Sequence, residues 1–225
     1  MPIQNIAGVL LYAHDTEKQF DEFKELFIRT KLVPDVQMDE LSLIKNKTQR
    51  FLKVKAKAST DACQFLLQVL PLENFSVSTM IHINEVAETI IQTESLYGLK
   101  DLAGLEQLLA LSNQFTFGRE YHPTVIDKAS YLWYSLASKQ LFHNGNKRTA
   151  LLTGMLMLER NLIRMHYRDT QELYDLSLQI ARKELSESEL KAFIKSRSTL
   201  HLDNINFYSR FYGVSEQLKV LEEIQ

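Results

Sequence analysis

Within nine residues, Gln140-Leu141-Phe142-His143-Asn144-Gly145-Asn146-Lys147-Arg148 gathers three amide side chains, one imidazole and two cations around a glycine. Apolar, helix-like stretches flank it. One runs towards Lys139 and the other continues through Thr149-Ala150-Leu151 to about Arg160. The pattern predicts a helix, a tight polar turn and a second helix. The first turn of that second helix has backbone N–H groups with no carbonyl of their own helix to reach, and it carries the positive end of the helix dipole. Lys147 and Arg148 add charge there, and arginine adds a planar fork suited to phosphate oxygens. On these grounds the segment is a phosphate-binding candidate, with a plain helix–loop–helix corner as the alternative.

Two histidines need weighing beside it. His143 has the chemistry of a general base, but on its position in the turn a polar loop histidine is the better reading. His122 reads as a surface residue. The lone cysteine, Cys63, permits no intramolecular disulfide and no cysteine zinc cluster, and it reads as a small buried apolar residue on a helix. Lys45, Lys47, Arg50, Lys53, Lys55 and Lys57 form a basic cluster. Alternation puts Lys53, Lys55 and Lys57 on one sheet face, where they could meet an acidic partner or nucleic acid, or keep the face solvated. Aromatic interleaving is poor, since only Phe51 is close.

The elements that position these residues differ on either side of residue 83. Ile6–Tyr12 reads as a buried strand. Thr16-Glu17-Lys18-Gln19 then opens a helix whose buried face carries Phe20, Phe23 and Phe27. Leu41–Ile44 reads as a strand, Lys47-Thr48-Gln49 as a turn, and Leu52, Val54, Ala56 and Ala58 as the apolar face of a half-buried strand. Ser59 or Thr60 would cap a helix holding Cys63, Leu66, Leu67 and Leu70, and Phe75, Val77, Thr79 and Ile81 would form a further strand. The order βαββαβ fits a ferredoxin-like unit.

Beyond residue 83 nearly every segment reads as helix. Asn84 would cap the first of these helices and Tyr97-Gly98 would end it. Asp101 would cap a leucine-rich helix, and Asn113–Tyr121 would be a loop or short hairpin. Pro123 suits the first turn of the helix leading to Lys139. Thr170 starts another helix, Ser186-Glu187-Ser188-Glu189 is a capping box, and a last helix runs from Ser215. The domains expected are 1–82 (α+β), 83–197 (helical) and 198–225 (a helical extension), giving an α+β fold class.

Composition excludes several classes. Of the 225 residues, 45% are hydrophobic and 24% charged, so a core can be buried. A formal net charge of −2 argues against wholesale nucleic-acid coating. The amino terminus lacks the basic start of a signal peptide and Ile6–Ala13 is too short to cross a bilayer, so cytoplasmic residence without membrane contact is expected.

The nine-residue segment resembles the signature of the Fic/Doc (Fido) family. That signature runs His, any residue, Phe, any residue, Asp or Glu, Gly, Asn, Lys or Gly, Arg. Phe142, Gly145, Asn146, Lys147 and Arg148 match in register, and Thr149-Ala150-Leu151 resembles the Doc (death-on-curing) branch. Tyr97-Gly98-Leu99-Lys100-Asp101-Leu102 with Leu105-Glu106 is similar to a helix start of Doc-like proteins. Phe115-Thr116-Phe117-Gly118-Arg119-Glu120-Tyr121-His122-Pro123 resembles their flap, and Lys128-Ala129 falls where the core helix has the same pair. The resemblance covers roughly residues 80–197.

It implies a helical Fido domain that binds ATP or another nucleotide with Mg2+ and transfers a phosphoryl or nucleotidyl group to a protein hydroxyl, in a toxin–antitoxin setting. By it, Gly145, Asn146, Lys147 and Arg148 would hold phosphates, Phe142 would anchor the motif in the core, and Phe115, Thr116, Phe117 and Gly118 would form the flap. Two positions depart. Gln140 stands where the family has its proton-accepting histidine, and a glutamine amide has no usable basicity at neutral pH. Asn144 stands where a carboxylate helps hold magnesium, so metal binding would be weakened. These departures imply impaired catalysis and action through a protein or antitoxin-like partner. The alternative is a transferase, by phosphorylation or AMPylation, with an atypical active site. Some family members carry an inhibitory helix with Ser or Thr, three residues, Glu and then Gly or Asn. Thr116–Glu120 has that spacing but falls in the flap, so such autoinhibition is not expected.

Overall fold

A computed structural model describes residues 6–46, 49–55, 63–89 and 98–214. The chain is mixed α+β and divides into two compact units. The first comprises Met1–Leu72, Leu162–Arg164 and Thr199–Gln225; the second comprises Glu73–Asn161 and Met165–Ser198. No helix among the described residues is long and apolar enough to cross a membrane.

In the first unit, strand β1 (Ile6–Ala13) leads into helix α1 (Glu17–Thr30). The hydroxyl of Thr16 accepts from the Gln19 N–H and caps the helix. Phe23 and Phe27 are fully buried, and the Phe27 and Phe65 rings meet edge to face. Strands β2 (Leu41–Asn46), β3 (Gln49–Val54) and β4 (Cys63–Leu70) complete a four-stranded sheet in the order β1-β4-β3-β2. β1 and β4 run parallel, and β3 is antiparallel to both β4 and β2.

The expected ferredoxin-like order is therefore corrected, because Cys63, Leu66, Leu67 and Leu70 lie on a central strand and not on a helix. Their i, i+3, i+4, i+7 spacing is helical. However, Phe65, Leu66 and Leu67 are buried in succession, which suits a strand covered on both faces between two neighbours. Cys63 is half-buried there, and burial pushes its thiol pKa up. The lysine-alternating strand ends at Val54, with Lys55 exposed beyond it. Lys47, Thr48, Ala56, Lys57, Ala58, Ser59 and Thr60 fall outside the described residues, as does the helix expected from Ser215. Helix α8 (Leu202–Phe211) carries the carboxy-terminal aromatics Phe207, Tyr208 and Phe211.

The second unit opens with helix α2 (Val77–Thr89). Phe75, Val77, Thr79 and Ile81 are thus not a strand. Ser76 caps the helix, its hydroxyl accepting from the Thr79 N–H at 3.1 Å. Phe75 before the cap and Met80 in the first turn are both buried, with the spacing of a hydrophobic staple. The alternation arose because a cap and a staple interleave polar and apolar residues just as a strand does. Asn84 consequently lies within α2 and does not cap it.

Helix α3 (Leu102–Ser112) starts at Asp101, whose carboxylate accepts from the Gly104 N–H. Strands β5 (Phe115–Thr116) and β6 (Arg119–Glu120) form the hairpin. Phe117 and Gly118 have φ of 52° and 75°, as a tight two-residue hairpin turn requires. Helix α4 (Val125–Ser138) is capped by Thr124, so Pro123 precedes the helix and is not in its first turn. Helix α5 spans Asn146–Arg160. Strands β7 (Ile163–Met165) and β8 (Ser198–Leu200) pair with each other. Helices α6 (Thr170–Ala181) and α7 (Glu187–Arg197) start at Asp169 and at the capping box of Ser186.

Trp133 of α4 is fully buried, and its indole N–H donates to the Ser177 hydroxyl of α6 at 2.7 Å. A Cβ on Gly154 of α5 would come within 2.7 Å of the Trp133 ring, so the glycine lets α4 and α5 approach closely. Lys128 is buried on α4, and its ammonium donates to the Ser112 carbonyl at the end of α3 and to Asn113 Oδ1. That position complements the α3 dipole, while burial lowers the lysine pKa. His122, expected at the surface, is half-buried and stacked on Tyr131 with ring centroids 4.3 Å apart. Burial also lowers its pKa.

Candidate functional site

α4 and α5 are joined by a turn that its own side chains hold shut. The Asn146 amide accepts from the Phe142 N–H and donates to the Phe142 carbonyl, both at 2.9 Å. Asn146 therefore shapes the turn with its side chain, and what it can offer an anion is its backbone N–H. Asn144 Oδ1 accepts from the Gly145 N–H at 2.8 Å, which turns that oxygen towards its own backbone. Phe142 is 1% exposed and anchors the turn in the core. The Leu141 carbonyl accepts from Lys100 and Asp101, and the His143 N–H donates to the Gly98 carbonyl, so residues 98–101 brace the turn.

Gly145 is the α5 cap, with φ of 74°. A Cβ there would lie 2.1 Å from Glu88 Oε1, so both the left-handed backbone and the space call for glycine. Thr149 makes the first N–H bond back into the helix, to the Gly145 carbonyl at 2.8 Å. The N–H groups of Asn146, Lys147 and Arg148 precede it and have no acceptor in their own helix.

Two residues of α2 complete the turn from behind, and the sequence reading did not find either in this role. Asn84 is fully buried. Its amide nitrogen donates to the Asn144 carbonyl and to the Thr149 hydroxyl, each at 2.9 Å, and its oxygen accepts from the Gly98 N–H at 3.1 Å. One turn later, Glu88 is ion-paired to Arg148 at 2.6 Å, with its side chain 3% exposed. Its other oxygen, Oε2, is buried with no hydrogen-bond partner among the described residues. Asn84, not Ser or Thr, stands four residues before this acid, which is why no inhibitory pattern is legible there. The available signal was the polar pair Asn84 and Glu88 interrupting the buried stripe of Met80, Ile83 and Ala87.

In front of the turn lies a cavity of about 760 Å3. Gln140, His143, Asn144, Gly145, Asn146, Lys147 and Arg148 all line it. Leu151 and Leu152 of α5 and Thr170, Gln171 and Tyr174 of α6 form further wall; the three α6 residues were not anticipated. Gln140 and His143 are both exposed, so an imidazole shares the cavity with the amide. Phe115, Thr116, Phe117 and Gly118 are not among the lining residues, and Phe117 is entirely exposed at the hairpin tip. Arrayed this way, one lysine, one arginine already paired and a helix N-terminus can hold an anion, while the α6 wall supplies an aromatic ring and hydrogen-bonding groups.

No curated protein matches the chain. Residues 74–158, which include the whole turn and most of α5, match the model of the Fic/DOC family.

Proposed function

We propose that the chain is a Doc-like Fido protein with impaired catalysis, which keeps an anion or nucleotide pocket and acts through a protein partner. The observation that carries this reading is the single cavity lined by Gln140, Asn144 and the first turn of α5 with Lys147. The anion-holding residue types stand there, while a neutral amide stands at each of the two positions where the family's reaction uses a base and a carboxylate. Loss of a positioned general base alone lowers a rate by ~10²–10⁴-fold. The partner is an antitoxin-like protein or a target protein. Lys53 and Lys55, with Lys57 continuing their alternation in the sequence, would offer the first unit's basic surface to an acidic partner or nucleic acid.

A second reading is favoured by one feature: His143 lines the same cavity as Gln140. An active transferase would use it, or rely on positioning and charge alone, since phosphoryl transfer depends heavily on both. The test incubates the protein with labelled ATP, magnesium and cell lysate, beside a Gln140→His, Asn144→Asp variant. The impaired reading expects label transfer by the variant only. Transfer by the native protein that His143→Ala abolishes would replace it with the second reading.

A further inference from the structure

We infer that the cavity takes a phosphate monoester without any divalent cation, in place of the magnesium-bound nucleotide that the family resemblance implies. The inference rests on the anion-pocket reading above. Among the described residues no Asp or Glu lines the cavity, and no group of three or more His, Cys, Asp or Glu is placed to hold a metal ion. Magnesium demands hard oxygen donors and is held in proteins through one or two carboxylates together with substrate phosphates. The residue in the family's metal position, Asn144, is neutral and its oxygen accepts from the Gly145 N–H. Glu88, the acid paired with Arg148, does not line the cavity, and one of its oxygens holds that arginine at 2.6 Å. A cation beside the remaining oxygen would meet the guanidinium charge. The donor set does not fit magnesium.

The charges that remain suit a single phosphate. Arg148 is neutralised by Glu88, which leaves the Lys147 ammonium and the α5 N-terminus, the latter equivalent to about +0.5 charge. A phosphate monoester carries about −1.5 to −2 near neutral pH, which these two nearly balance. A triphosphate adds negative charge that only a metal ion would offset here. At about 760 Å3 the cavity is far larger than a phosphate group, and Thr170, Gln171 and Tyr174 face the remaining space. Tyr174 can stack on a flat ring and the Gln171 amide can pair with its edge, so a nucleoside monophosphate is the fitting probe.

The test is calorimetric titration of the full chain with AMP and with ATP, each in EDTA and in magnesium. The expected result is AMP binding of equal affinity in both buffers, weakened ~10–100-fold by Lys147→Ala, as loss of a contact to a charged group would do. Binding of either nucleotide that appears only with magnesium overturns metal independence while leaving the anion pocket standing. ATP that binds tighter than AMP in EDTA overturns the single-phosphate match. No binding of any nucleotide in any buffer removes the anion-pocket reading and this inference with it.

Discussion

Arg50 in the first unit and Arg148 in the second each face a carboxylate, but in opposite surroundings. Both terminal nitrogens of Arg50 reach both oxygens of Asp15, whose side chain is 58% exposed. Arg148 uses one nitrogen on one oxygen of Glu88, and the second oxygen is buried with no partner among the described residues. The exposed pair is fully satisfied and screened by water, so it contributes little net stability. The buried pair has lost much hydration and has not fully replaced it with hydrogen bonds, which is unfavourable in itself. An incomplete buried pair beside a cavity that draws residues from two other helices suggests that its use lies at the site and not in the stability of the unit.

Breaking the buried pair should have the largest effect. Arg148→Met leaves the Glu88 charge without compensation and should destabilise by about 3–5 kcal/mol in urea unfolding. Adding Glu88→Gln should recover much of that loss. A single-variant loss below ~1 kcal/mol would make the buried pair no different from a surface one. Asn84→Ala comes next, because it strips partners from the Thr149 hydroxyl, the Asn144 carbonyl and the Gly98 N–H at once. A loss of about 2–3 kcal/mol is expected, since stranding buried polar groups costs more than one ordinary hydrogen bond. An Asn84→Ala protein as stable as wild type would show that the turn needs no brace from α2.

The smallest effect belongs to Asp15→Asn, at about 0–1 kcal/mol. Hydrogen bonding from Arg50 holds the Asp15 carboxyl below its usual value. Its contribution is therefore fully present above the ordinary carboxylate pKa and fades as pH falls through the lowered folded-state value. Stability curves of the wild-type and Asp15→Asn proteins should converge at acid pH. Curves that run parallel down to that range would remove Asp15 from the account.

Where local chemistry decides an element, the sequence was readable. The Ser186 capping box, the Asp101 cap, the hairpin between Phe115 and Glu120, and α5 from Asn146 to Arg160 follow from residue type and spacing alone. Where tertiary pairing decides, it was not. Cys63–Leu70 satisfies a helical stripe and a doubly covered strand equally well, and β1 and β3 on either side settle which forms. Misreading Phe75–Ile81 as a strand then moved the expected helix start to Asn84, which made a cap of a residue that α2 buries against the turn. The site divides the same way. The contiguous stretch from Gln140 to Arg148 could be picked out from its residue types, whereas Glu88, Gln171 and Tyr174 reach the same region from distant helices and leave no mark on that stretch.

Trp133 is the chain's only tryptophan, fully buried in α4, packed against Gly154 of α5 and hydrogen-bonded to α6. Its intrinsic fluorescence is thus an optical channel for the second unit alone, with the first unit dark at tryptophan wavelengths. The helices that hold the indole are those that carry or lead into the cavity, so a ligand that shifts α5 against α6 changes the colour of the emitted light without any label being attached.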